Sequence, residues 1–456
     1  MNVSIVILAA GQGTRMRSAL PKVLQPLAGR PLLAHVIDCA KAAGGNDLCV
    51  VYGYGGDAVK TGFTGEPIRW TLQAEQLGTG HAAQQAMPDT PDQNRVVILF
   101  GDVPLLQPST LERLMQSCGE NEMAILTVDM DDPQGYGRIV RENGEVMQIV
   151  EQKDATPVEQ AIKEINTGVL CAPAKKLKRW LGRLRNDNSQ REYYLTDVIR
   201  MAVAEGVAVH GVKADNWKEL MGINDRKQLA EAERALQQRL VDALMASGVS
   251  FADPARVDIR GTLTCGKDVM IDVNTVFEGA VVLGDNVKVE SSNVIRDSRI
   301  GRGAVVHAHC HIERATVGPD CEIGPFARLR PGAELERNVK IGNFVEVKKS
   351  TIANGSKVNH LSYIGDTTIG AHVNVGAGTI TCNYDGANKY RTVIGDGAFI
   401  GSGVELVAPV EVGAGATIGA GSTITKPVPD DTLAIARSRQ EIISDWKRPA
   451  KLDRKP

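Results

Sequence analysis

Large aromatic side chains are scarce in this chain of 456 residues, since phenylalanine, tryptophan and tyrosine together make up only 4%. The chain also has no run of about 18 apolar residues, the length that a membrane-spanning helix requires. Its formal net charge is −2, so the chain as a whole has no strong attraction for nucleic acid or an acidic membrane. We therefore expect neither nucleic acid nor a membrane among its partners.

No Cys-x-x-Cys pair occurs among the eight cysteines, which argues against a zinc site and against a disulfide framework. The pattern favours a reducing compartment, and we expect a cytoplasmic protein. The opening segment MNVSIVILAA lacks a basic region and a small-residue cleavage site, so it predicts a strand and not a signal peptide.

Short apolar runs alternate with amphipathic segments from the start of the chain to Asp225. We predict strands at 3–10, 47–53, 96–102 and 123–128, and helices at 31–44, around 80–86 and at 109–119. This alternation predicts an α/β domain with a mostly parallel sheet that is covered on both faces.

A long helix is predicted after this domain. Apolar residues at helical spacing run from Leu229 to Leu244, and Gly248 marks the expected end. The predicted division is therefore a domain at 1–225, a linker helix at 226–248 and a second domain at 249–456.

Glycine is abundant, with 47 residues, and in the second half it accompanies a six-residue period. Aliphatic residues recur at steps of six from Ile394 to Ile424, and similar series run through Leu283–Val289, Ile300–Ile312 and Val317–Val347. The pattern predicts a parallel β-helix whose six-residue units each point one branched side chain inward. The alternative, a glycine-rich sandwich, has no reason to keep unbroken six-residue steps.

A glycine turn, LAAGQGTRM (8–16), follows the first predicted strand and precedes PKVL (21–24). Consecutive amides in such a turn form an anion-binding concavity, and Arg15 and Lys22 add two cations. The segment is not a P-loop, because GxxxxGK[ST] is absent. A tight strand–helix turn is the alternative interpretation of these glycines.

Further polar segments follow later strands of the first half. They are Gln73 with QLGTGHA (76–82), FGDVPL (100–105), GYGR (135–138), Glu151 and EINTG (164–168). Asp102 ends an apolar strand, where ligands bind in open α/β sheets, although an isolated aspartate there is commonly a helix cap.

Charged and polar residues also interrupt the repeats of the second half, which a plain β-helix does not need. They are Arg330, Lys348, His360, Tyr363, Asn374 and a polar loop at 381–392 that breaks the period. An inert surface histidine is the default for His360, but the cations and the protruding loop favour a base.

The motifs from LAAGQGTRM to GIND (222–225), joined to the long helix and the hexapeptide half, resemble one family over essentially the whole chain. It is the family of bacterial bifunctional N-acetylglucosamine-1-phosphate uridyltransferases and glucosamine-1-phosphate acetyltransferases. The resemblance implies a Rossmann-like nucleotidyltransferase domain, a linker helix and a left-handed parallel β-helix. It also implies a homotrimer acting on small molecules, with UTP and acetyl-CoA as co-substrates and Mg²⁺ as cofactor.

The resemblance also assigns residues in the first half. It implies that Asp102 and Asn224 hold Mg²⁺ and that Arg15 and Lys22 are catalytic, neutralising the phosphate under attack. The nucleotide and sugar would be bound by Leu8, Ala9, Ala10, Gly11, Lys22, Gln73, Gly78, Thr79, Phe100, Gly101, Asp102, Gly137, Glu151, Asn166 and Asn224.

In the second half the resemblance implies that His360 is the catalytic base and that Asn383 orients the histidine or the substrate. It implies that the sugar phosphate is held by Arg330, Lys348, Tyr363 and Asn374. Acetyl-CoA would lie against Ala377, Asn383, Tyr384, Ser402, Ala420 and Arg437. The basic tail at 436–456 would fold over a neighbouring subunit's site.

Two other functions remain open at the level of sequence. The first is a single-function nucleoside-diphosphate-sugar pyrophosphorylase whose β-helix is structural or regulatory. The second is a non-catalytic sugar-nucleotide sensor or scaffold, which predicts a damaged phosphate loop, whereas Gly11, Gly13, Arg15, Lys22 and Asp102 are all present.

Overall fold

The computed structural model describes residues 2–188 and 190–451. The chain divides into two compact units, residues 1–239 and 240–456. A single helix, Arg226–Ala246, spans most of the segment 226–248 in which a linker helix was predicted, and the division falls inside it. Within the described ranges, no helix is both long and apolar enough to cross a bilayer.

The first unit contains the predicted strands and helices with small shifts at their ends. Its strands are β1 Val3–Ala9, β2 Pro26–Leu27, β3 Arg30–Pro31, β4 Asp47–Tyr52, β5 Ile68–Leu72, β6 Arg95–Phe100, β7 Met123–Asp129, β8 Arg138–Glu142, β9 Glu145–Val150, β10 Glu164–Pro173 and β11 Val209–Lys213. The α-helices that begin in it are α1 Leu32–Ala42, α2 Gly56–Thr61, α3 Thr79–Ala86, α4 Pro108–Gln116, α5 Pro157–Gln160, α6 Ala174–Leu181, α7 Asp197–Ala204 and α8 Arg226–Ala246. Short 3₁₀ turns occupy Thr14–Met16, Lys22–Leu24 and Trp217–Leu220.

The main sheet has the strand order β11-β7-β10-β6-β1-β4-β5, and it is mixed. Strand β1 is parallel to β4 and β6, whereas β10 is antiparallel to both β6 and β7. Four of the six neighbouring pairs in this order are parallel, so the expectation of a mostly parallel sheet is confirmed, with β10 as the antiparallel exception. The hairpin of β8 and β9 turns the chain round before β10, and apolar periodicity carries no information on strand direction.

Alternating side chains of β1 supply two separate cores, one on each face of the sheet. Ile5 and Ile7 belong to one apolar cluster, and Val6 and Leu8 belong to the other. Because both faces are covered, the strand is a continuous apolar run, as the sequence shows. The sheet therefore holds the carboxyl ends of β1 and β6 rigidly beside each other.

The second unit is a parallel β-helix with three faces. Face A is an eleven-stranded sheet composed of Ser250–Phe251, Met270–Ile271, Lys288–Val289, Val305–Val306, Glu322–Ile323, Lys340–Asn343, Lys357–His360, Asn374–Val375, Phe399–Ile400, Thr417–Ile418 and Leu433–Ala434. A seventeen-stranded sheet forms the other two faces.

Two long strands, Val257–Cys265 and Thr275–Leu283, begin the seventeen-stranded sheet, and face B and face C continue from them. Face B comprises Val294–Arg296, His311–Glu313, Arg328–Leu329, Glu346–Lys348, Tyr363–Gly365, Ile380–Cys382, Glu405–Val407 and Thr423–Ile424. Face C comprises Arg299–Ile300, Thr316–Val317, Ala333–Leu335, Ser350–Ile352, Thr367–Ile369, Thr392–Ile394 and Val410–Val412.

The strand register confirms the six-residue period. Ile323 pairs with Ile341, three six-residue steps further along the chain, so one coil consists of three such units. The side chains of the unbroken series, from Ile394 to Ile424, are all buried in one continuous core. Each such side chain contributes roughly 1.5–3 kcal/mol when fully buried, as an upper bound.

One coil is longer than its neighbours because a loop leaves it. On face A, Asn374 pairs with Phe399, and this step along the chain is longer than the steps from Lys357 to Asn374 and from Phe399 to Thr417. The additional residues follow Cys382 and form a small turn closed by an antiparallel bridge between Tyr384 and Lys389. The predicted polar loop is therefore present.

Candidate active sites

The glycine turn after β1 places the side chain of Lys22 against it. Gly13 has a φ of +63°, and a Cβ at this position would lie 2.6 Å from Cβ of Lys22. Glycine is thus required both for the left-handed backbone and for the close approach of the lysine stem. The ammonium group of Lys22 donates to the carboxylate of Asp102 and to Oδ1 of Asn224, the latter at 3.2 Å.

Two backbone hydrogen bonds bring Asp102 and Asn224 together. The amide of Gly101 donates to Leu8 O at 2.9 Å, which fixes the end of β6 beside β1. The amide of Ile223 donates to Asp102 O at 2.9 Å, which fixes the segment that carries Asn224. The two predicted metal ligands therefore present oxygens to one nitrogen, although they are far apart in sequence.

A cavity of about 330 Å³ opens at this edge of the sheet. It brings together most of the predicted nucleotide residues: Leu8, Ala9, Ala10, Gly11, Lys22, Gln73, Gly78, Thr79, Phe100 and Asp102. Gln73 is buried and donates from Nε2 to Gly78 O at 3.2 Å, so the end of β5 is tied to the second glycine turn. Gly78 has a φ of +109°, which again requires glycine.

A second cavity of about 210 Å³ contains the three predicted sugar residues, Gly137, Glu151 and Asn166. Thr79 and Phe100 line both cavities, so the two are adjacent. Burial raises the pKa of Glu151, which accepts a hydrogen bond from Thr196 Oγ1 at 3.1 Å. The amide of Asn166 donates to Gly137 O at 2.8 Å, which holds the walls of this cavity together.

In the second unit, His360 ends a strand of face A and is exposed. Its Nδ1 lies 2.8 Å from Oδ1 of Asn343, the residue paired with it on the preceding coil. An amide oxygen only accepts, so Nδ1 carries a proton, and in the neutral ring the free lone pair is then on Nε2. The ring is therefore in the tautomer that a base needs.

Tyr363 begins a strand of face B just beyond the corner from His360. Arg330 and Lys348 lie on the two preceding coils at the other end of face B, where Lys348 pairs with Gly365. Arg330 donates from Nη1 to Glu346 Oε1 at 2.8 Å. The ammonium of Lys389, on the protruding loop, and partial burial lower the pKa of Lys348. Asn374 is on face A, where it pairs with Lys357, and it is about 10 Å along the strand from the corner.

A column along the same corner of the coil as His360 contains four of the six predicted acetyl-CoA residues: Ala377, Ser402, Ala420 and Arg437. Gly378 N donates to His360 O at 3.2 Å, Gly403 N to Ala377 O at 2.7 Å, and Gly421 N to Ser402 O at 2.8 Å. Arg437 Nη1 donates to Ala420 O at 2.7 Å and ends the column. Ala377, Ser402 and Ala420 thus follow one another on successive coils below His360.

Both units are similar to known protein families. A family model described as "MobA-like NTP transferase domain" matches residues 5–195, and one described as "Bacterial transferase hexapeptide (six repeats)" matches 314–349 and 391–426. "Bifunctional protein GlmU" of Azoarcus sp. (strain BH72) is 55% identical over 450 residues, covering 98% of this chain and 100% of that protein. "Bifunctional protein GlmU" of Aromatoleum aromaticum is 56% identical over 450 residues, covering 98% and 99%.

The chain belongs to the GlmU family. The predicted family, fold class and function are thereby confirmed. The chain is a bifunctional transferase that acetylates glucosamine 1-phosphate and then transfers UMP to the product. The left-handed hexapeptide β-helix is likewise the fold of the second unit.

Several of the residues predicted for GlmU-type chemistry lie apart from the two cavities and from the column. Asn224 lines neither cavity, although its Oδ1 accepts from Lys22, which lines the nucleotide cavity. Arg15 is exposed and lines neither cavity of the first unit. Gly101 lies between Phe100 and Asp102 behind the cavity wall, where a Cβ would be 3.1 Å from that of Ala9.

In the second unit, Asn383 lies outside the column, is buried and donates from Nδ2 to Asp366. The side chain that accepts a hydrogen bond from His360 is that of Asn343. Tyr384, on the loop, is exposed and donates its hydroxyl to Gly386 O at 2.6 Å.

The basic tail of this GlmU family member is exposed over 436–451. The remainder of the predicted segment, 452–456, lies outside the described residues.

Sequence reasoning missed residues in both sites. In the first unit, Glu192 lines the nucleotide cavity and Leu195 and Thr196 line the sugar cavity. Their segment, REYYLTD (191–197), is polar and aromatic just before a helix, and that composition was the available signal. In the second unit, Asn343 lies one coil before His360, and stepping back from the histidine by the length of one coil finds it.

Proposed function

We propose that UMP transfer takes place where the two cavities of the first unit meet, and that acetyl transfer takes place at the corner of the β-helix that carries His360. The single observation behind the first assignment is that Lys22, Asp102 and Asn224 converge beside the nucleotide cavity. The observation behind the second is the column that descends from His360 to Arg437.

In the first reaction, an oxygen of the sugar 1-phosphate attacks the α-phosphorus of UTP, and the bond from that phosphorus to the bridging oxygen of pyrophosphate breaks. Thr79 and Phe100 line both cavities, so a nucleotide in one and a sugar phosphate in the other would be in contact. Lys22 and Arg15 would neutralise the phosphate oxygens as charge builds up. Glu151 and Asn166 would hold the sugar hydroxyls.

The residues present fit Mg²⁺, which takes one or two protein oxygens and keeps its other positions for phosphates and water. Asp102 and Asn224 supply two such oxygens to one point. Among the described residues, no group of three or more histidine, cysteine or acidic side chains could hold a metal alone. When bound there, Mg²⁺ supplies charge neutralisation at the transferred phosphate.

In the second reaction, Nε2 of His360 takes a proton from the ammonium group of glucosamine 1-phosphate. The free amine attacks the thioester carbon of acetyl-CoA and a C–N bond forms. The C–S bond then breaks, and the proton that the new amide nitrogen loses goes to the sulfur, which leaves as the thiol. Asn343 holds the ring by its Nδ1–H. Arg330, Lys348 and Tyr363 would bind the sugar phosphate, since all three belong to face B and Arg330 reaches back to Glu346, the residue paired with Tyr363.

We also propose a homotrimer, and the same corner of the coil supports it. His309, Phe326, Phe344 and Leu361 follow one another up this corner with left-handed backbone, and the last three side chains are 47%, 55% and 60% exposed. The rings of Phe326 and Phe344 stack with centroids 5.3 Å apart. Bulky apolar residues that accept a left-handed backbone in order to point outward suit burial against another subunit.

A trimer would also give Asn374 a role. It lies too far along face A to share a ligand with Arg330 and Lys348 of its own chain, so it would complete a neighbouring subunit's site. We further propose a cytoplasmic location, where UTP and acetyl-CoA are available.

One coupled assay tests the proposal. Glucosamine 1-phosphate, acetyl-CoA, UTP and Mg²⁺ are mixed with the protein, and release of thiol and of pyrophosphate is followed. We expect thiol first, then pyrophosphate. His360→Ala should stop thiol release while added N-acetylglucosamine 1-phosphate still yields pyrophosphate, and Asp102→Asn should do the reverse. If one substitution abolished both activities in folded protein, the two-site assignment would be wrong.

A further inference from the structure

The ammonium group of Lys22 lies where a cation is expected. It donates to the carboxylate of Asp102 and to Oδ1 of Asn224, which are the two oxygens assigned above to Mg²⁺. The side chains of Lys22 and Asp102 are only 12% and 18% exposed, so water screens this ion pair weakly. Lys22 therefore neutralises the carboxylate of Asp102.

The position of the ammonium group is built into the fold. Gly13 leaves room for the stem of Lys22, which lies so close that a Cβ on residue 13 would clash with it. The acceptors are equally fixed, because Asp102 O accepts from the amide of Ile223 and the amide of Asn224 donates to Gln228 Oε1 at 2.7 Å.

We propose that Lys22 is an internal cation that excludes the divalent metal until nucleotide phosphates draw it away. The inference rests on the proposed metal site and deepens it. Two cations cannot share two oxygens at this distance, so the metal binds only when Lys22 turns toward the nucleotide, into the cavity that it also lines. Metal and nucleotide then bind together, and the ligand-free protein has low affinity for the metal.

The test measures metal affinity and not turnover. Mn²⁺, whose free form is counted by electron paramagnetic resonance, is titrated into full-length protein without nucleotide, for wild type and for Lys22→Met. We expect Lys22→Met to bind one Mn²⁺ per chain at least about tenfold more tightly. Arg15→Met is the matched control, because it removes one positive charge from the same loop without touching Asp102, and it should bind Mn²⁺ as wild type does.

Each other outcome overturns the inference. Equal Mn²⁺ affinity in wild type and Lys22→Met means that Lys22 does not compete with the metal. If neither protein binds Mn²⁺, removing the lysine has not opened the site, and the inference is equally wrong. An equal gain in Arg15→Met means that net loop charge is the cause. The double variant Lys22→Met/Asp102→Asn separates this inference from the proposed function. If it keeps the gained affinity, the metal is held elsewhere and the assignment of Asp102 fails as well.

Discussion

His360 and Asn343 are paired on adjacent parallel strands of face A, and Nδ1 of His360 lies 2.8 Å from Oδ1 of Asn343. The strand register itself thus supplies the group that fixes the tautomer of the base. A histidine on an exposed strand end would otherwise exchange between tautomers, and one of them presents a proton where the amine must give one up.

The first prediction concerns the pH dependence of acetyl transfer. Asn343→Asp places a carboxylate beside the ring, which favours imidazolium, so the acid limb of the kcat profile should move to higher pH. Asn343→Ala should lower kcat about tenfold or more, because the ring loses its hydrogen-bond partner. It adds no charge beside the ring, so it should not move the acid limb to higher pH.

The readout is thiol release at saturating substrates over a range of pH. Asn354→Asp is the control, because Asn354 is an asparagine of the same β-helix that accepts a hydrogen bond from Arg337 N, and it should leave the profile unchanged. An unmoved acid limb in Asn343→Asp would show that Asn343 is only structural.

The second prediction concerns Glu151, whose pKa burial raises. The folded state then binds more protons than the unfolded state once the pH exceeds the ordinary pKa of glutamate. Stability is therefore lost as the pH rises from that value to the raised one, and the loss persists at neutral pH. Glu151→Gln cannot ionise, so its melting temperature at pH 7 should exceed that of wild type.

The same change should weaken the sugar site. A hydrogen bond to a charged carboxylate contributes about 1.5–3 kcal/mol. Loss of the one between Glu151 and a sugar hydroxyl should therefore lower kcat/KM for N-acetylglucosamine 1-phosphate roughly 10–100-fold. Glu159→Gln is the control, because the pKa of Glu159 is shifted in the opposite direction to that of Glu151. Hydrogen bonds from Thr156 lower the pKa of this exposed carboxylate. It should not raise the melting temperature, and activity should be normal. A Glu151→Gln protein less stable than wild type at pH 7 would contradict the argument.

The third prediction tests the exposed apolar corner. Phe344→Ser removes the middle of the stack and should shift the sedimentation coefficient from trimer toward monomer. Acetyl transfer should fall with the trimer, whereas UMP transfer should continue. Met270→Ser is the matched control, because Met270 is an apolar residue 52% exposed elsewhere on the β-helix. A Phe344→Ser protein that stays trimeric would place the interface on another face.

Sequence patterns predicted the β-helix well because one six-residue step fixes both burial and strand register, as the pairing of Ile323 with Ile341 shows. They predicted β1 and β6 for a similar reason, since a strand buried on both faces is a continuous apolar run. They did not predict that β10 enters the sheet antiparallel, because direction depends on the hairpin of β8 and β9 and not on periodicity.

The residues of the candidate sites also divide into those that sequence patterns identify and those that they do not. Asp102 is recognisable because it ends an apolar strand. Its contact with Lys22 depends on a three-dimensional approach that spacing alone does not contain. Asn343 went unnoticed because its partner is a full coil away, and Asn383 drew attention because it stands in the loop that breaks the period.

The last prediction compares two consecutive residues of one strand on face A. Ile400 is fully buried, whereas its neighbour Phe399 is 49% exposed, because successive side chains of a strand point to opposite faces. Ile400→Asp places an unpaired carboxylate inside the coil and should destabilise the second unit by about 3 kcal/mol or more. Phe399→Asp, whose strand partners Asn374 and Thr417 are uncharged, should change the stability little.

Thermal unfolding followed by circular dichroism, with both activities assayed, compares Ile400→Asp with Phe399→Asp. In Ile400→Asp the transition of the β-helix should move to lower temperature and thiol release should be lost first, with UMP transfer retained. Equal melting of the two variants would mean that the inward register of this strand is misassigned.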